Sequence, residues 1–360
     1  MSDSVAPDSA PGTSRRLELK DIDPALYRHP GERGALGILE KAPGFSAFLK
    51  LMSDHGGSRA ERMVEVASLV RVGPGVYPRL DELWTGTSAA FGVGAIPLHI
   101  SGREKHCWTL RGGNSGPRAI ISADLLDELP HSEMAALLAM LAGSVRLGNL
   151  PNLSAVELLR RVQDYSGLVG APALVLSWSF ENWRRYAVMS ADRAACLHCG
   201  IESVQQFLAR ISGAGSRSWG GVPDCGRLRI QGVEASSRDK DWDNRSWSRF
   251  TAAMNRQNHA GLLRGLDLSE WAATGALDRI KSGDQTMPED AAADEDSHAD
   301  PGLAFWGEFA PGLTDVEEQG WRDKASDLCE AAEKGIQSFV RAGEAFFRNL
   351  SDDRGGDKGK

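Results

Sequence analysis

Three short clusters in this chain carry side chains capable of chemistry. Cys196-Leu-His-Cys199 has the C-x-x-C spacing of a metal clip or a dithiol redox pair. A metal clip needs a second pair of ligands close by in sequence, and none accompanies it. A redox pair follows a strand and opens a helix, whereas these cysteines sit inside an apolar helical run. They are expected to be packed core thiols. His106-Cys107 places a base beside a nucleophile. The segment HCWTL around it reads as strand, in which adjacent side chains point to opposite faces, so the two do not converge. Asp192-Arg193 lies in a long apolar helical run. A buried carboxylate there needs a cation, and Arg193, Arg184 or Arg146 could supply an interhelical salt bridge. Thr85-Gly-Thr-Ser and Gly92-Val-Gly are not phosphate cradles, because neither joins a strand to a helix with the required spacing.

The elements that must position these groups follow from pattern. Residues 17 to 92 read as mainly helical, punctuated by Pro30, Pro43, Gly56-Gly57 and Pro74. PLHIS (97–101), CWTL (107–110) and RAIIS (118–122) have strand composition, and the loop RGGNSGP between the last two signals a hairpin. Helical pattern covers 123–128, 131–147, about 169–198 and 201–212. A polar, Gly- and Ser-rich stretch fills 213–248, and helical pattern returns from about 249 to 281. The acidic segment 283–301 lacks Phe, Trp, Tyr, Val and Ile and reads as a solvated linker. Beyond it, Trp321, Leu328, Ile336, Phe339 and Phe346 lie on one apolar stripe of a long helix spanning about 314–350. Such a helix docks on its own domain, on another protein or on a second copy of itself.

Composition narrows the function classes. The chain has 360 residues, 41% of them hydrophobic, enough for one large domain or two smaller ones. A net charge of −8 argues against electrostatic nucleic-acid binding. The apolar runs Met134 to Val145 and Leu168 to Phe180 fall short of the roughly 18 residues of a membrane span. The first sixteen residues lack an apolar signal core and read as a disordered tail, as do residues 351–360. Five scattered cysteines fit reduced thiols and a cytoplasmic location.

The order of the features carries a resemblance. A hairpin ends in an edge-like strand, then come SADLLDEL, the helix EMAALLAMLAGSVRLGN (133–149) and a long helix carrying YAVMSADRAACL. This looks like the zinc metallopeptidase family that includes the CAAX prenyl protease and the HtpX heat-shock protease, in its soluble bacterial branch. Members carry a helix of the form E-L-x-x-V-L-x-H-E-x-G-H and, later, E-x-x-A-D-R. Tyr27-Arg-His-Pro-Gly-Glu-Arg-Gly-Ala-Leu36 is similar to the branch's amino-terminal signature, and HAGLLRGLDLSEW (259–271) resembles its closing segment. The likeness covers residues 17 to 282.

The resemblance implies a mostly helical α+β fold, zincin-like, with a small antiparallel sheet. The linker (283–301) and a C-terminal helical docking segment (302–350) lie outside it. It also implies a lost activity. Met140 stands where the first zinc-binding His would be, and Leu141 where the Glu general base would be. Ser144 replaces the second His, and Val188 the Glu that would be the third ligand. Family chemistry needs three protein ligands and an open position for water. Leu and Val have no lone pairs, a thioether is a soft ligand ill-suited to zinc, and Ser is a weak neutral donor. Asp192 and Arg193 remain from the shell that would orient a ligand. The expectation is a pseudopeptidase with no metal and no cofactor, binding a peptide or protein. His106, Cys107, Trp108, Thr109 and Leu110 correspond to the strand against which family peptidases lay an extended peptide. The alternative is an enzyme using other residues in the old cleft.

Overall fold

A computed structural model describes residues 18–41, 68–102, 105–112, 117–156, 171–213, 224–241 and 261–286. The expected linker beyond residue 286, the C-terminal helix with Trp321, Leu328, Ile336, Phe339 and Phe346, both expected tails and Cys329 lie outside these residues.

Two 3-10 turns (Leu19–Asp21 and Pro24–Leu26) lead into helix α1 (Pro30–Lys41). Strand β1 (Leu69–Arg71), helix α2 (Pro78–Ala90) and strands β2 (Leu98–Ser101), β3 (Trp108–Arg111) and β4 (Arg118–Ser122) follow. The rest is helical: α3 (Asp124–Glu128), α4 (His131–Arg146), α5 (Leu150–Val156), α6 (Ala171–Cys199), α7 (Ile201–Ile211), α8 (Cys225–Asp241), α9 (Gly261–Ala273) and α10 (Ala276–Lys281). The fold is α+β and mostly helical, as expected.

Helix α4 lies in the main core of the described residues. Glu133, Met134 and every residue from Ala136 to Gly143 are buried, as befits a helix that is apolar around most of its circumference. It packs most extensively against α6. Gly143 permits this approach: a Cβ placed there would lie 2.6 Å from the Ala194 Cβ. The helix ends where Gly148, at φ +78, takes the left-handed conformation and donates its N–H to the Val145 carbonyl. Its apolar residues join the sheet, α6 and α7 in one core, while Leu39, Val156, Phe180 and Trp183 form a second cluster beside it.

The structure corrects several expectations. The sheet is mixed, in the order β1-β2-β4-β3. The hairpin signal holds, since β3 and β4 pair antiparallel, but β4 inserts between β3 and β2 and runs parallel to β2. A turn signal fixes only the two strands it joins. Strand β1 falls in a stretch expected to be helical; three residues give no period, and pairing with β2 makes them extended. Helix α8 falls inside the stretch expected to be irregular. Its described side chains are mostly exposed, and it approaches α9 closely at Gly232, where a Cβ would meet the Leu262 carbonyl oxygen at 3.0 Å. Finally, His106 and Cys107 precede β3 rather than belonging to it, and His106 turns the chain at φ +50.

Candidate functional site

The four positions of the expected metal site lie on α4 and α6. Met140 and Leu141 are buried, at 3% and 4% exposure, and Ser144 and Val188 are partly buried. The Ser144 hydroxyl donates to the Met140 carbonyl at 2.9 Å, so its polar atom is engaged within its own helix turn. The residues do not fit zinc. They supply no imidazole and no carboxylate, and the one hydroxyl is committed to backbone.

A cation lies beside one of them, Met140. The Arg264 guanidinium, on α9, grips Asp192 bidentately, with Nε 2.8 Å from Oδ2 and Nη2 2.7 Å from Oδ1. The same Nη2 lies 3.8 Å from the Met140 sulfur. Asp192 and Arg264 are 1% and 4% exposed. Burial pushes the Asp192 carboxyl above its ordinary range, against the opposing pull of Arg264. The expected salt bridge between helices is therefore present, but none of the three expected arginines makes it. Arg193 pairs with Asp267 on α9, Arg184 with Glu181 one turn away, and Arg146 reaches the Lys20 carbonyl.

Arg193 and the amino-terminal segment form a second network. The Arg193 Nη2 donates to both Asp267 oxygens at 3.1 and 3.3 Å, and its guanidinium lies 5.4 Å from the centre of the Trp271 ring. His29 Nε2 meets the same carboxylate at 3.1 Å, and its ring stacks on Tyr186. Partial burial raises the Asp267 carboxyl, but the His29 hydrogen bond and the Arg193 charge hold it below its ordinary range. Arg264, Asp267 and Trp271 recur at three and four along α9, which places them on one helix face. Arg28 joins the buried Glu32 at 2.7 Å and the Leu147 carbonyl at 2.6 Å. Glu32 accepts from the Ser190 hydroxyl, which itself accepts the His29 N–H at 2.9 Å. Gly31 fits against Tyr186, where a Cβ would come within 2.7 Å of the ring. In the first turn of α4, Glu133 pairs bidentately with Arg210 of α7.

This network contains a serine, a histidine and an aspartate, yet it is not wired for nucleophilic catalysis. A triad needs one imidazole nitrogen on the nucleophile and the other on the acid. Here His29 Nε2 faces Asp267, while Nδ1 accepts the Gly31 N–H at 3.0 Å. The Ser190 proton goes to Glu32. The Cys196 and Cys199 pair is equally inert. Cys196 is fully buried, and burial drives its thiol far above its ordinary range. Burial raises Cys199 to about 11, and its thiol donates to the Ala195 carbonyl.

Near the sheet, Trp108, Thr109 and Leu110 lie on β3, the outermost strand on its side. Trp108 packs edge-on against Phe207. His106 does not pair with Cys107. Its Nδ1 lies 3.3 Å from Asp124 and 3.2 Å from Glu128, both on α3.

Sequence reasoning missed Arg264, although a signal was present: an arginine set in the apolar frame GLLRGLDL demands a buried carboxylate. It also passed over Asp124 and Glu128, which SADLLDEL spaces one helical turn apart. A scan against protein-family models, a search of curated proteins and a search of solved structures each found no match.

Proposed function

We propose that this chain is a pseudopeptidase: a zincin-like frame that resembles the CAAX prenyl protease and HtpX family, does not hydrolyse peptides, and binds a peptide or protein instead. One observation carries the reading. Arg264 sits between the Asp192 carboxylate and the Met140 sulfur, so a fixed guanidinium supplies the positive charge where the resemblance would put the surroundings of a metal. A conversion that deleted the ligands and left Asp192 alone would strand a buried carboxylate. Arg264 compensates it, and Met140 and Leu141 fill apolar space. The binding surface in this reading is β3, where an extended segment adds to the outer strand. The segment 302–350 adds a second contact to the partner, and the protein works in the cytoplasm.

The test is a broad peptide-cleavage panel, run with and without chelator, on the wild type and on Met140→Ala and Ser144→Ala. The expected result is no cleavage in any arm. Cleavage that the two substitutions abolish overturns the reading. In parallel, peptides captured from a random library should raise hydrogen-exchange protection at residues 108–111; capture with protection confined to other elements rules out strand addition.

A further inference from the structure

We propose that His106, Asp124 and Glu128 form a binding site for a divalent ion of the zinc class, separate from the Met140 locus and not dependent on the pseudopeptidase reading. The three side chains arrive from two elements. Asp124 and Glu128 are four residues apart on α3, which places both carboxylates on one helix face. His106 comes from the turn before β3. Its left-handed backbone conformation presents both the backbone N–H and the ring to the same carboxylate, with the N–H donating to Asp124 Oδ2 at 2.8 Å.

The distances suit coordination. Nδ1 is 3.3 Å from Asp124 Oδ2 and 3.2 Å from Glu128 Oε2. The three candidate ligand atoms all lie within 4.8 Å of one another. Bonds of about 2.0–2.2 Å to a tetrahedral ion put neighbouring ligands roughly 3.3–3.6 Å apart. Two of the three separations are already near that value, and Glu128, 47% exposed, is free to adjust the third.

A further observation favours an ion over a simple ion pair. Nδ1 carries at most one hydrogen, yet two carboxylate oxygens face it at nearly equal distance. A proton on Nδ1 serves one of them well, whereas a metal ion takes a lone pair from all three groups. One imidazole and two carboxylates suit zinc and its first-row neighbours, with water completing the coordination.

The experiment uses untagged full-length chain stripped of metal, titrated with zinc chloride by calorimetry at pH 7.5 and 5.5. Cobalt(II) absorption reports the ligand field. The expected result is one zinc per chain at pH 7.5 and weaker binding at pH 5.5, where protons compete for an imidazole whose ordinary pKa is about 6.5. Glu128→Gln, an exposed and nearly isosteric change, weakens binding at least about tenfold, and His106→Ala abolishes it. Met140→Ala and Ser144→Ala leave it unchanged, which separates this site from the other locus. Absence of stoichiometric binding at pH 7.5, or binding that survives both Glu128→Gln and His106→Ala, overturns the proposal.

Discussion

Replacing Arg264 with alanine tests the central substitution directly. The change removes two short charge-assisted hydrogen bonds, at 2.7 and 2.8 Å, from a carboxylate that is 1% exposed. Breaking one side of such a buried pair costs about 3–5 kcal/mol, because the remaining charge keeps its desolvation penalty and loses its partner. The variant also widens a pH dependence that the raised Asp192 already gives the wild type. Burial already raises Asp192, and Arg264 is the strongest influence pulling it down. Without Arg264 the folded state holds a proton that the unfolded chain, whose aspartates titrate near 4, releases. Stability of the variant therefore falls as pH rises from about 4 to the raised folded value, with a slope approaching about 1.4 kcal/mol per pH unit. Below pH 4 both states are protonated and the difference vanishes. Combining Asp192→Asn with Arg264→Met removes both charges and restores most of the loss, because a pair replaced by neutral groups of similar size is often nearly neutral in stability. Urea unfolding followed by tryptophan fluorescence, from pH 4 to 8, measures all three quantities. A loss below about 0.5 kcal/mol for Arg264→Ala, the range of an ordinary surface change, refutes the reasoning. So does a double variant no more stable than the single one.

Gly143→Ala drives a methyl group to within 2.6 Å of the Ala194 Cβ, so the helices must part. The expected loss is about 1–3 kcal/mol in thermal or urea unfolding. Asp267→Asn removes a carboxylate held below its ordinary range by His29 and Arg193. The wild type draws stability from this group above about pH 4 and loses it as pH falls through the depressed folded value; the variant shows a flatter acid limb between pH 2 and 5. Rebuilding the ligands as Met140→His, Leu141→Glu, Ser144→His and Val188→Glu leaves zinc binding at that locus weak while Arg264 stays, because a guanidinium and a dication compete for one place. Adding Arg264→Leu strengthens it by at least about tenfold, measured by calorimetry in a His106→Ala background.

Much of the arrangement was legible before folding. The 3.6-residue apolar period marked α4, α6 and α7, and the hairpin loop joined β3 to β4. The identities of Met140, Leu141, Ser144 and Val188 settled that strong zinc ligands are missing from positions where the resemblance expects them. These are local properties, carried by residue type and spacing within one element. The mixed sheet was not legible, because the place of β4 between β2 and β3 depends on packing between strands that share no turn. Helix α8 was hidden for a similar reason: most of its described residues face solvent, and one of its close approaches to α9 is at Gly232, where there is no side chain to give a pattern.

What the sequence alone determined is chemistry by subtraction. No rearrangement of the chain turns Leu141 or Val188 into a proton acceptor or a metal ligand. What only the tertiary structure decided is which charges meet. Asp192 stands beside an arginine in its own helix, yet Arg193 turns to Asp267 and Trp271 while Asp192 takes Arg264 from a helix more than seventy residues away in sequence. His106 turns from Cys107 to two carboxylates on the next helix. Partner choice among buried charges is set by which groups the packed helices bring within about 3 Å, and desolvation makes that choice worth several kcal/mol.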